Sequence, residues 1–79
     1  MRVIINGKLY DTETAELIYR EIVTWRYSRW YYMTAKRAFF CYYDKTKEIK
    51  VKTEEEIREL LGEHDVDKYI ELFGEPDNA

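Results

Sequence analysis

The sequence predicts a single α+β domain: a short, twisted, mostly antiparallel sheet with one N-terminal helix and two C-terminal helices. Three observations carry that expectation. Val3, Ile4 and Ile5 run into an Asn6-Gly7 pair, the strongest short-range hairpin signal. From Trp25 to Tyr43, nine of nineteen residues are aromatic, and they alternate as strand residues do. Segments 12–26, 54–61 and 66–73 place apolar residues at helical spacing behind capping residues.

A chain of 79 residues forms one domain and buries only about 60% of its unfolded surface. Its core must therefore be rich in large side chains. Thirteen Phe, Trp and Tyr residues meet that need, since each buries roughly 150–250 Å².

Residues 1–10 read as strand, tight turn and strand. Asp11 or Thr12 then caps a helix over 12–26, with Glu13 and Glu16 near the positive end of its dipole. Ala15, Ile18, Ile22 and Trp25 form the apolar stripe of that helix, and Leu17 falls outside it, beside Arg20 and Glu21. An aromatic β-hairpin follows over 29–43, with strands Arg29–Thr34 and Ala38–Tyr43 joined at Ala35-Lys36-Arg37. Both of its faces are apolar, so each must be covered or must bind something. Residues 47–52 make a further strand, with Ile49 and Val51 inward and Lys50 and Lys52 outward. Thr53 and Glu56 form a capping box for the helix 54–61, which presents Ile57, Leu60 and Leu61 and stops at Gly62. Asp65 caps the last helix, 66–73, whose inner face is Val66, Tyr69, Ile70 and Phe73. Residues 74–79 are a tail.

The net charge of −3 conceals a division along the chain. Residues 1–52 hold eleven Lys/Arg against six Asp/Glu, +5, while residues 53–79 hold two against ten, −8. Cys41, the single cysteine, has no internal disulfide partner, which points to a reducing compartment. The N-terminus lacks the apolar run of a signal peptide, and no segment has the roughly 18 apolar residues that cross a bilayer. A cytoplasmic protein with no membrane contact is expected.

The catalytic inventory is thin: one His, one Cys, one Ser and no Gln. His64, Ser28 and Cys41 fall in unrelated elements, Glu54-Glu55-Glu56 is a helix start rather than a metal-ligand spacing, and three scattered glycines build no phosphate loop. No enzyme activity, cofactor or metal is expected. Two binding surfaces remain. Glu55, Glu59, Glu63 and Glu71 lie off the apolar stripes of the C-terminal helices and offer a row of carboxylates to a basic groove on another protein. Alternatively, Arg26, Arg29, Lys36 and Arg37 interleave with Trp30 and Tyr31, the combination by which single-strand binders track phosphates and stack bases.

The run Ile5-Asn6-Gly7-Lys8-Leu9-Tyr10-Asp11-Thr12-Glu13-Thr14-Ala15 resembles the opening of small proteins carried by phages and integrative mobile elements, Ile-Asn-Gly-Lys-x-Tyr-Asp-Thr-x-Thr-Ala. Thr53–Glu56, Asp65–Tyr69 and Phe73–Glu75 are similar to the end of the same proteins. The middle departs from them, because Asp44-Lys45-Thr46 stands where they carry a longer Gly-rich segment. Small, charge-polarised proteins of such elements are often inhibitors of host defence, anti-CRISPR proteins included. The resemblance therefore implies a non-enzymatic inhibitor whose partner is a host protein, a nucleic-acid-handling defence effector, met through an acidic, nucleic-acid-mimicking surface.

Overall fold

Asn6 and Gly7 both take positive φ, 52° and 75°, the left-handed pair that a two-residue hairpin turn requires. In the computed structural model, which describes all of residues 1–79, they join β1 (Arg2–Ile5) to β2 (Lys8–Asp11) as a two-stranded antiparallel sheet. A second, four-stranded antiparallel sheet follows as a meander: β3 (Glu16–Thr24), β4 (Tyr27–Met33), β5 (Phe39–Tyr43) and β6 (Glu48–Lys52). Two helices end the chain, α1 (Glu54–His64) and α2 (Val66–Phe73). The protein is 43% strand and 24% helix, mostly β with a helical C-terminus.

The expected N-terminal helix over 12–26 is corrected: that segment is one turn followed by β3. The Asp11 cap exists but holds only a turn. Asp11 Oδ1 accepts from the Glu13 N–H at 2.9 Å, and its carbonyl accepts from the Ala15 N–H at 3.1 Å. Beyond Ala15 the chain pairs with β4, and the register slips between Leu17 and Tyr19 and again between Ile22 and Thr24. Each slip is a bulge that adds one unpaired residue to the strand. Two insertions into a period of two spread the apolar residues out. Ala15, Ile18, Ile22 and Trp25 consequently mimic a helical stripe. The bulge also turns Ile18 and Tyr19 toward the same side, where Ile18 is buried and Tyr19 packs against it.

The two faces of the four-stranded sheet are covered differently. Toward the helices point Tyr31, Met33, Phe39, Cys41 and Tyr43, packed with Ile57, Leu60, Leu61, Tyr69, Leu72 and Phe73. Toward the other side point Trp30, Tyr32, Phe40 and Tyr42, by strict alternation from those residues. There the β1–β2 hairpin laps over one corner. Tyr10 meets Phe40 edge-on at 5.5 Å, and Tyr32 stacks on Phe40 at 5.1 Å.

The residues of β6 face opposite to expectation. Lys50 and Lys52 pair with Cys41 and Phe39 and so lie on the helix side. There Lys52 ion-pairs with Glu56 at 3.8 Å and both lysines approach the Tyr43 ring. Ile49 and Val51 lie on the other side, and Val51 is exposed.

The capping box at Thr53 and Glu56 forms with both hydrogen bonds, 3.1 and 3.0 Å. Gly62 does not stop α1. It lies inside the helix, and a Cβ there would stand at an ordinary contact distance, 4.0 Å, from the Tyr69 ring. Asp65 ends α1 and caps α2 through the Lys68 N–H at 3.1 Å. Phe73 then packs on Phe39, with Arg58 4.3 Å and Arg37 5.9 Å from its ring. Arg37 Nη2 also donates to the Leu72 carbonyl at 2.7 Å, satisfying one of the carbonyls that a helix C-terminus leaves open.

Phe40 is fully buried and joins the hairpin to the sheet through Tyr10. Phe40→Ala is expected to cost about 3–5 kcal/mol of unfolding free energy, measured by urea denaturation. Ile22→Thr, at a β-compatible surface position 68% exposed, should stay within about 0.5 kcal/mol of the parent.

Candidate functional site

The helical side carries the acidic surface. Glu55, Glu59 and Glu63 are exposed and recur every fourth residue of α1, which puts them in one row with neighbouring Cβ atoms about 5–6 Å apart. Their neighbours are engaged: Glu54 bonds Arg58 at 3.2 Å and Glu56 pairs with Lys52. Glu63 lies 3.7 Å from His64, while Glu55 and Glu59 have no cation within ion-pair distance. Beside the row is a shallow cleft whose lining includes Glu59, Glu63, His64, Tyr31 and Lys52.

Glu71 belongs to a different arrangement. It bonds Lys68, which also bonds Glu16 of β3 at 2.9 Å, so the ammonium bridges α2 to the sheet. The hydrogen bond to Glu71, and then that to Glu16, raise the Lys68 pKa. The acidic surface of α1 therefore consists of three predicted carboxylates, and the fourth is a structural contact.

The six residues of the alternative site do not form one surface. Tyr31 is buried in the helix-side core, and desolvation raises its phenol pKa. Arg29, on that same side, bonds Glu21 at 3.2 Å and lies over Tyr43. Arg37 is tied to α2. Lys36 is exposed in the turn between β4 and β5, whereas Arg26 lies at the opposite end of the sheet, 4.6 Å from the Trp25 ring. Trp30 alone lies on the face away from the helices. Alternation separates sequence neighbours, so a basic and aromatic run in a strand is divided between two environments.

That far face has an order of its own. Two rows cross the strands in register: Leu17, Tyr32, Phe40 and Val51, then Arg20, Trp30, Tyr42 and Ile49. The hairpin reaches the first row through Tyr10. In the second, the Arg20 guanidinium lies 4.4 Å from the Trp30 ring and its Nε donates to Ser28 Oγ at 3.2 Å. Trp30 Nε1 donates to Asp44 Oδ2 at 3.0 Å, and the Ser28 N–H donates to Asp44 Oδ1 at 2.9 Å. Those two hydrogen bonds, the indole's first, lower the Asp44 pKa and fix the plane of the ring. Sequence reasoning missed Arg20 as a partner of Trp30 because it placed Arg20 on a helix, and missed Tyr42 because the register of β4 on β5 fixes which residues share a face. The β-rich run Ile18-Tyr19 and Ile22-Val23-Thr24 was the available signal.

Ser28 lies on this far face and is buried, while Cys41 and His64 lie on the helix side. The His64 ring stacks on Tyr19 at 6.0 Å. No group of three or more His, Cys, Asp or Glu side chains is arranged to hold a metal ion, and no helix is long and apolar enough to cross a membrane. No protein-family model, curated protein or solved structure matches the chain.

Burial pushes the Cys41 thiol up to about 11, against the pull of Lys52. Folded protein at about pH 8, near the ordinary cysteine pKa of about 8.5, is expected to resist iodoacetamide. Mass spectrometry should find alkylation only after denaturant is added. Labelling of native protein at the unfolded-chain rate would contradict this placement.

Proposed function

We propose that this chain is a non-catalytic accessory protein of a phage or mobile element that binds a host defence protein. The partner is a nucleic-acid-handling effector, of the kind that anti-CRISPR proteins inhibit, and the α1 carboxylate row enters its basic groove. One observation carries this reading: Glu55, Glu59 and Glu63 form an exposed row on a single rigid helix, two of them outside any ion pair. A helix fixes their spacing in advance, so little ordering cost falls on binding. The resemblance of Ile5–Ala15 to mobile-element proteins supports the same assignment.

Glu71 has no part in the contact, because Lys68, which also bonds Glu16, already holds it. The set Arg26, Arg29, Trp30, Tyr31, Lys36 and Arg37 loses support as one nucleic-acid site, since Tyr31 is core and Arg29 and Arg37 are engaged within the protein.

Immobilised protein incubated with nuclease-treated host lysate should retain a partner that mass spectrometry identifies, and the same protein should weaken host defence in an interference assay. Joint Glu55→Lys, Glu59→Lys and Glu63→Lys should abolish retention, since interfacial charge pairs contribute several kcal/mol together. Glu71→Gln should leave affinity within roughly twofold, as an exposed pair contributes little. A partner lost after nuclease treatment, or one indifferent to the triple reversal, would overturn the assignment.

A further inference from the structure

We propose that the sheet face opposite the helices binds single-stranded nucleic acid. The inference rests on that face alone and is independent of the α1 reading. Its first support is the row Arg20, Trp30, Tyr42 and Ile49, which the β1–β2 hairpin leaves open. Trp30 and Tyr42 stand directly opposite on adjacent strands, about 4.5–5.5 Å apart at Cβ. Both are half-buried, so their rings are anchored and still accessible. Asp44 holds the Trp30 indole, and Arg20 lies over it with its terminal amines free of any hydrogen bond to protein.

The second support is charge. The turns from β3 to β4 and from β5 to β6 lie at the same end of the meander and carry Arg26, Lys45 and Lys47. None of these, nor Arg20, is in an ion pair. Arg26 lies over Trp25, which is 86% exposed, whereas Lys45 lies 4.9 Å from the ring of Tyr27, which alternation places on the helix side with Arg29, so Arg20, Arg26 and Lys47 are the cations of this face. Neither row of the face holds a carboxylate: Glu16 and Glu21 point to the helix side with Met33 and Arg29, and Glu48 with Tyr43. Asp44, the acid at this end, is hydrogen-bonded to Ser28 and Trp30.

This set of groups fits a strand with unpaired bases. Bases stack on aromatic rings and on guanidinium planes, while cations at the rim meet the phosphates. A duplex keeps its base faces inside and cannot use the rings. A second copy of this chain, docked face to face, would bring two sets of unpaired cations together with only Asp44, already hydrogen-bonded to Trp30 and Ser28, to offset them.

Full-length protein titrated into a fluorescein-labelled oligodeoxythymidylate at low salt should raise its anisotropy to saturation. Tryptophan emission should fall, and affinity should decline as salt rises because phosphate counterions are released. The matched duplex should bind at least tenfold more weakly. Trp25→Ala, at a position that carries no packing, and Arg20→Gln should each weaken single-strand binding about fivefold or more, with unchanged melting temperature. Trp30→Ala should weaken it further, and Trp30→Phe should recover part of the loss. Binding indifferent to Trp25 and Arg20, equal binding of duplex, or no binding at low salt would overturn the proposal. So would a concentration-dependent dimer in sedimentation that the Trp30 variant disrupts, since a second copy would then own the face. The Glu55, Glu59 and Glu63 reversal must retain the Trp25 and Arg20 dependence, so failure of the α1 reading is seen separately in host-protein capture.

Discussion

Phe40 and Cys41 are adjacent in the chain, fully buried, and on opposite faces of the same strand. That pair imposes the central constraint on the molecule: the middle of its sheet must be kept from water on both sides at once. Seventy-nine residues leave little material for two layers of cover. The helical pair is given to Cys41, Phe39 and Tyr31, and only a four-residue-per-strand hairpin remains for Phe40. The unequal cover follows from that division. One side becomes a continuous core, and the other is sealed at a corner and open along its second row.

Charge is distributed by the same division. The −8 of residues 53–79 lies on the helices and tail, and the cations that approach them from the sheet are used structurally: Lys52 at the start of α1, Arg37 at the end of α2. Lys68 works in the reverse direction, reaching from α2 to Glu16. Contacts of this kind are exposed and individually weak. Their collective effect is orientation, holding both helix ends against a sheet whose apolar contacts alone are tolerant of sliding. The carboxylates left over, Glu55 and Glu59, are those that no cation of the sheet pairs with.

The C-terminal half was legible in the sequence because its signals are local. Thr53 with Glu56, and Asp65 at the start of the last helix, act within one or two helical turns, and α1 and α2 form behind them, although α2 packs through Tyr69, Leu72 and Phe73 and leaves Val66 exposed. Asn6-Gly7 was legible for the same reason. The segment 12–26 was not, because a bulge is defined by the partner strand and has no signature in the chain that carries it. Asp11 looks the same in sequence whether one turn follows it or four. The sides of Ile49, Val51, Lys50 and Lys52 were misread for a related reason: alternation separates two faces but does not say which one the helices will cover. The carboxylate row on α1 could be read, since helix periodicity alone creates it. The row from Arg20 to Ile49 could not, since four strands must first come into register.

The two bulges of β3 bear on how the protein lives among other chains. β3 is nine residues long and forms one boundary of the sheet, with Leu17, Ile22 and Val23 exposed along it. A flat boundary of that composition is a template on which a foreign strand can crystallise, rung upon rung. Between its two irregularities, however, only Tyr19 to Ile22 keeps an uninterrupted register. Four residues offer an incoming strand too few rungs to hold it. The same insertions that disguise this segment as a helix in sequence thus give it resistance to templated assembly, without a single charged residue having to be buried for the purpose.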